Sequence, residues 1–151
     1  MIMEKEMIID ILVDAFKKES IVFICGNGGS AAQAQHFAGE FIGKFLKDRD
    51  PLPALSLTSE IAAITSIAND YDYKYVFSRQ LQALAIINDV LIVLSTSGKS
   101  PNCIEAIKTA EEIGMKVIDF PRVGKTTPEI QEYQFKLMHE VCREVEERLF
   151  P

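Results

Sequence analysis

The stretch Ile21-Val22-Phe23-Ile24-Cys25-Gly26-Asn27-Gly28-Gly29-Ser30 decides the architecture. Five apolar residues in succession suit a strand buried on both faces, as in a parallel sheet. The glycines then break the strand, and apolar residues return at helical spacing over residues 31–45. The pattern is strand, glycine turn, helix. Upstream, Met7, Ile8, Ile11, Leu12 and Ala15 recur at intervals of three and four and predict a helix over residues 3–18. Downstream, residues 53–57 read as a short strand, and residues 59–68 and 74–87 as two helices separated by Asn69-Asp70-Tyr71-Asp72. After a turn at Asn88-Asp89 comes a second continuous apolar run, Val90-Leu91-Ile92-Val93-Leu94. A polar loop, Ser95-Thr96-Ser97-Gly98-Lys99-Ser100, leads to Pro101, which a first helical turn tolerates. The helix over residues 103–113 stops at Gly114, residues 116–120 form a fourth strand, and Pro128 opens a last helix to Leu149.

Strands that alternate with helices and are apolar throughout predict a parallel sheet between two helical layers. Residues 1–151 are expected to form one α/β/α domain with a flavodoxin-like three-layer fold, without internal repeat or linker. Ligands of such sheets bind beyond the strand carboxyl ends. Both polar loops, after Cys25 and after Leu94, fall there.

The bulk properties narrow the function classes. A net charge of −6 works against binding a polyanion, so no nucleic-acid partner is expected. It leaves room for a small anion held by a local loop. No apolar run approaches the roughly 20 residues of a membrane span, and the acidic N-terminus is no signal peptide. Cys25, Cys103 and Cys142 lack C-x-x-C spacing, the pattern of a reduced, cytoplasmic protein.

The glycine loop has two readings. Free N–H groups at a helix start favour an anion; alternatively, the loop is a tight turn with Ser30 as N-cap. The serine-rich loop can surround phosphate oxygens with hydroxyls and amides, or serve only as a turn and cap. Neither matches a dinucleotide fingerprint or a P-loop.

His36 and Glu40 stand four residues apart on one helix and share a face. Such a pair can bind a divalent metal, share a proton, or simply be an exposed ion pair. Gln131 and His139 lie eight residues apart on the last helix. They differ by roughly 80° in direction and roughly 12 Å along the axis. If both reach one metal, that separation favours their coming from different subunits.

The strings GNGGSAAQAQHFAGEFIGKF, LPALSLTSEIAAITSIANDYDYKYVFSRQL, NDVLIVLSTSGKSPNCIEAI and EIQEYQFKLMHEV resemble the sugar isomerase (SIS) domain, and within it the phosphoheptose isomerase family. The resemblance covers residues 20–118 and 127–150. It implies zinc held by His36, Glu40, Gln131 and His139. It places substrate-binding residues at Asn27, Gly28, Gly29, His36, Glu40, Asn69, Asp70, Ser95, Thr96, Ser97, Ser100 and Gln131. It further implies a homotetramer with intersubunit active sites, and isomerisation of sedoheptulose 7-phosphate to the corresponding aldose through an enediol. Glu40 would be the base and His139 the acid/base on the oxygens. A carboxylate held on zinc is a poorer base, so either Glu40 leaves the metal during turnover or the metal is not needed for the proton transfer. The competing readings are a catalytically silent SIS protein that binds a replication initiator, and a sugar-phosphate sensor. The presence of both Glu40 and His139 favours the enzyme.

The chain departs from the family pattern in several places. About twenty residues precede the first strand, where relatives carry a longer helical segment. Residues 121–127 stand where the family has a glycine-rich loop, a short helix and a fifth strand. Four strands are therefore expected, with the edge at residues 117–120 open to cover by another subunit. Lys44 and Glu129 fall where the family commonly has arginine.

Overall fold

A computed structural model describes residues 3–151. Its elements, in chain order, are α1 (Lys5–Lys17), β1 (Val22–Gly26), α2 (Gly29–Ile42), β2 (Ala54–Ser56), α3 (Ile61–Asp70), a 3-10 turn (Tyr73–Tyr75), α4 (Ser78–Leu84), β3 (Val90–Leu94), α5 (Pro101–Ile113), β4 (Lys116–Asp119) and α6 (Thr127–Leu149). The sheet is four-stranded and parallel, in the order β2-β1-β3-β4. The central pair aligns Val22 with Val90 and Gly26 with Leu94, so both polar loops leave the sheet side by side.

Alternate residues of the two central strands feed two cores. Val22, Ile24, Val90, Ile92 and Leu94 pack under α1, α2 and α6 with Phe37, Phe41 and Val141. Phe23, Cys25, Leu91 and Val93 pack on the other face with Leu57, Phe77, Cys103 and Ala106. Every residue of β1 and β3 is buried, which explains their unbroken apolar sequence. All three cysteines are buried and unpaired, and burial pushes the Cys142 thiol up.

The structure corrects several expectations. Ser30 is not the N-cap of α2; Gly28 is, at φ 57° and ψ −122°, with no side-chain cap. α2 ends at Ile42 rather than Phe45 because Glu146 on α6 takes the N–H groups of Phe45, Leu46 and Lys47. The helix expected over residues 74–87 is two pieces. Asp72 accepts from the Lys74 N–H and starts the 3-10 turn, and buried Asp89 takes the Ile86 N–H beyond the end of α4. At the β4 edge, Phe120 is fully buried, and the Gln134 amide of α6 donates to the Phe120 and Pro121 carbonyls. The end of that edge is thus covered from within the chain.

Candidate functional site

α2 and α6 run side by side in the same direction. Gln33 donates to the Gln131 carbonyl at 2.8 Å, His36 packs on Phe135 and His139, and Glu146 meets the segment after α2. This register brings three of the four expected ligands together. His36 Nε2 lies 2.8 Å from Glu40 Oε1 and 3.3 Å from His139 Nε2. One ligand atom from each residue falls within 4.8 Å of the others. Phe135 meets both imidazoles edge-on, and Phe45 stacks on His139, which limits how the rings can turn. One chain supplies all three groups, so the axial separation of Gln131 and His139 does not divide the triad between subunits. Instead, Gln131 lies one level away, with its side-chain amide against Gly29.

The donor set fits a zinc ion. Two imidazole nitrogens and a carboxylate oxygen are ligands of open catalytic zinc sites. The His36 Nε2 can carry only one proton, yet it faces both an oxygen and a second ring nitrogen. A cation resolves that crowding of lone pairs. The cluster is open, with the His36 side chain 42% exposed and that of Glu40 21%.

A second group of residues joins the loops. Asn27 and Asn102 exchange amide hydrogen bonds at 2.9 and 2.8 Å, and the Tyr73 hydroxyl donates to Asn27 Oδ1 at 3.1 Å. Asn27 Nδ2 also reaches the Cys103 sulfur at 3.8 Å. The glycine loop, the turn after α3 and the start of α5 are thereby tied together. Asn69 and Asp70 end α3 and bond to each other, exposed. In the serine loop, Ser95 accepts from the Gly98 N–H and Ser97 from the Lys99 N–H; Ser100 precedes α5 without a side-chain cap. Thr96 is half-buried there.

Sequence reasoning missed Tyr73, Asn102, Arg49 and Glu146. Arg49 and Glu146 form a buried ion pair at 2.9 Å, and Arg49 also donates to the Glu40 and Phe41 carbonyls at the end of α2. Burial works to raise the Glu146 carboxyl. The Leu46 and Lys47 N–H groups, the Arg49 guanidinium and the Phe45 N–H more than offset it and hold the group below its ordinary value. Only a short-range polar cluster at residues 47–50 hinted at such a lock. Glu129 acts locally, accepting from the Lys125 and Thr126 N–H groups in a capping box that starts α6. A hollow of about 630 Å³ lies elsewhere, beside β2, lined by Leu55, Ile67 and Arg79; none of the expected site residues lines it.

Known proteins resemble this chain in sequence and in fold. The SIS domain family matches residues 4–120. Phosphoheptose isomerase of Synechocystis is 43% identical over 161 aligned positions, covering 96% of this chain and 83% of the relative. That of Clostridium acetobutylicum is 44% identical, covering 96% and 82%. The solved phosphoheptose isomerase of Neisseria gonorrhoeae superposes with a TM-score of 0.87 at 34% identity, over 95% of this chain and 85% of that one. The Francisella tularensis structure gives 0.89 at 30% identity over the same shares. On sequence and on fold, the chain belongs to the SIS-domain proteins and, within them, to the phosphoheptose isomerase family.

Proposed function

We propose that this chain isomerises sedoheptulose 7-phosphate to D-glycero-D-manno-heptose 7-phosphate, with Glu40 and His139 as its catalytic residues. The observation that carries the reading is the meeting of Glu40 with two imidazoles in one chain. Glu40 takes the proton from C1 of the ketose, and the electron pair forms the C1=C2 bond of an enediol. His139 moves a proton between the oxygens on C1 and C2. Glu40 then returns its proton to C2, which leaves the aldehyde at C1. Atoms and electrons balance without an external oxidant. His36, Glu40 and His139, with Gln131 at the neighbouring level, are the residues to hold zinc. When bound, that ion supplies charge that polarises the substrate carbonyl.

The phosphate is assigned to Ser95, Thr96, Ser97 and Ser100, and the sugar chain to Asn27, Gly28, Gly29, Asn69, Asp70 and Gln131. The clasp between Asn27 and Asn102 supports this division, because it fixes the two loops relative to each other. The whole chain acts as one SIS domain, since α6 packs on α1 and α2 and carries His139. It works in the cytoplasm, a reading supported by its buried unpaired cysteines; no helix among the described residues is long and apolar enough to cross a membrane. The open triad and the exposed apolar side chain of Ile61 on α3 support a homotetramer whose neighbouring subunits close each site.

Glu40→Gln should lower turnover of sedoheptulose 7-phosphate, followed by NMR of the product, about a thousandfold while the fold is retained. Wild-type protein without turnover, with or without zinc, would refute the enzyme reading. Light scattering should give four subunits per particle. Hybrid tetramers mixed from Glu40→Gln and His139→Asn subunits should regain no activity, because each triad comes from one chain. Recovered activity would show the two groups acting across an interface.

A further inference from the structure

Arg122 lies in residues 120–126, the short segment that carries β4 directly into α6. Its guanidinium sits beneath the serine loop. Nε donates to the Ser95 carbonyl at 2.8 Å, and Nη2 reaches both carboxylate oxygens of Asp119 at 2.6 and 2.7 Å. The same group lies flat against Gly98. A Cβ built there would meet Nη2 at 2.9 Å, Cζ at 3.0 Å and Nε at 3.1 Å. Gly98 has φ +67°, so the loop turns back over the guanidinium through a conformation that L side chains rarely adopt. Nη1 has no hydrogen-bond partner among the described residues, and the side chain remains 30% exposed.

These contacts do three things at once. Nε on the Ser95 carbonyl and Nη2 on Asp119 together fix the guanidinium plane, a pair of contacts that one ammonium cannot make with the same geometry. The Ser95 carbonyl and the Gly98 turn fix the loop on that plane. The buried Ser95 hydroxyl then closes the loop by accepting from the Gly98 N–H at 3.0 Å. Ser97, Gly98 and Lys99 remain exposed in the loop, and Nη1 of the guanidinium keeps its donors unspent. A loop preorganised in this way loses less freedom when it closes on an anion.

We propose that Arg122 is a positioning residue for the substrate's phosphate group, setting the conformation and charge of the Ser95–Ser100 loop from below. The proposal rests on the assignment of that loop to the phosphate under the function proposed above. The short β4-to-α6 connection delivers the guanidinium to the loop.

The test uses the full chain and two probes, inorganic phosphate and sedoheptulose 7-phosphate. Calorimetry gives the phosphate Kd, and steady-state assays give KM and kcat. For Arg122→Met, the phosphate Kd and the substrate KM should both rise about tenfold, the size of a lost charge-assisted hydrogen bond, with kcat within twofold. Arg122→Lys, which keeps charge but not the fork, should fall between the two. It also decides the matter if Arg122→Met does not fold. Unchanged phosphate affinity in a folded Arg122 variant overturns the positioning role, as does a fall in kcat at constant KM. Wild-type protein that binds phosphate without turning over sugar refutes the isomerase reading and leaves this inference standing on the phosphate arm. Wild-type protein that binds no phosphate overturns the loop assignment and this inference with it.

Discussion

At its N-terminal end, α2 starts on Gly28 with no side-chain cap, and its first turn is bordered by the amide of Gln131. At its C-terminal end, the guanidinium of Arg49 takes the Glu40 and Phe41 carbonyls, while Glu146 takes three N–H groups of the following segment. One end is left open and the other is closed by a buried ion pair. His36 and Glu40 lie between them. The difference shows where side-chain locking is placed: at the end of α2 beyond His36 and Glu40, while at its start only the backbone carbonyls of Asn27 and Gly28 take the N–H groups of Ser30, Ala31 and Ala32.

Removing the closed end should have the largest effect on stability. Glu146→Ala leaves Arg49 buried and unpaired and should destabilise the protein by about 3–5 kcal/mol, read by urea unfolding. Replacing both partners, Arg49→Met with Glu146→Leu, should cost less than the single change. A double variant as unstable as the single one would mean that the backbone contacts, not the charge pair, hold this end. At the open end, Gly28→Ala meets nothing within 4 Å, so its cost is conformational only. It should amount to about 1–3 kcal/mol, with a larger rise in KM than that loss of stability alone would produce. The smallest effect concerns acid. The Glu146 carboxyl is held below its ordinary value of 4.5 in the folded protein, so its contribution is complete above that pH and is lost as pH falls through the folded value. The stability gap between wild type and Glu146→Gln should therefore narrow from pH 7 to pH 3.

The open end is legible in the sequence and the closed end is not. Glycines after an apolar run announce a strand-to-helix turn from local chemistry alone, and the spacing of His36 and Glu40 places them on one face. The four strands likewise follow from unbroken apolar runs and from the short stretch after Phe120. Two details fail even here. Ser30 reads as a cap, but Gly28 takes that position, and α2 reads as ending three residues later than it does. Arg49 and Glu146 are 97 residues apart, and Asn27 and Asn102 are 75 apart. Each is an ordinary polar residue: Arg49 and Glu146 meet only once packing has set which turns of α2 and α6 face each other, and Asn27 and Asn102 only once β1 and β3 lie side by side. The same register explains why His139, and not Gln131, meets His36.

Because α2 and α6 lie parallel, their peptide dipoles add rather than cancel. Both helices present their negative ends to the segment at residues 47–49. There Arg49 meets the last carbonyls of α2, and the Lys47 ammonium donates to the Phe150 carbonyl beyond α6 at 2.7 Å. Those two cations quench the field at that pole. At the opposite pole the two helices differ: Glu129 offsets the positive end of α6, whereas α2 has neither a side-chain cap nor an acidic residue in its first turn and keeps its positive potential. In a chain of net charge −6, the start of α2 is thus a local positive pole at the loop end of the sheet, set against the field of the whole molecule.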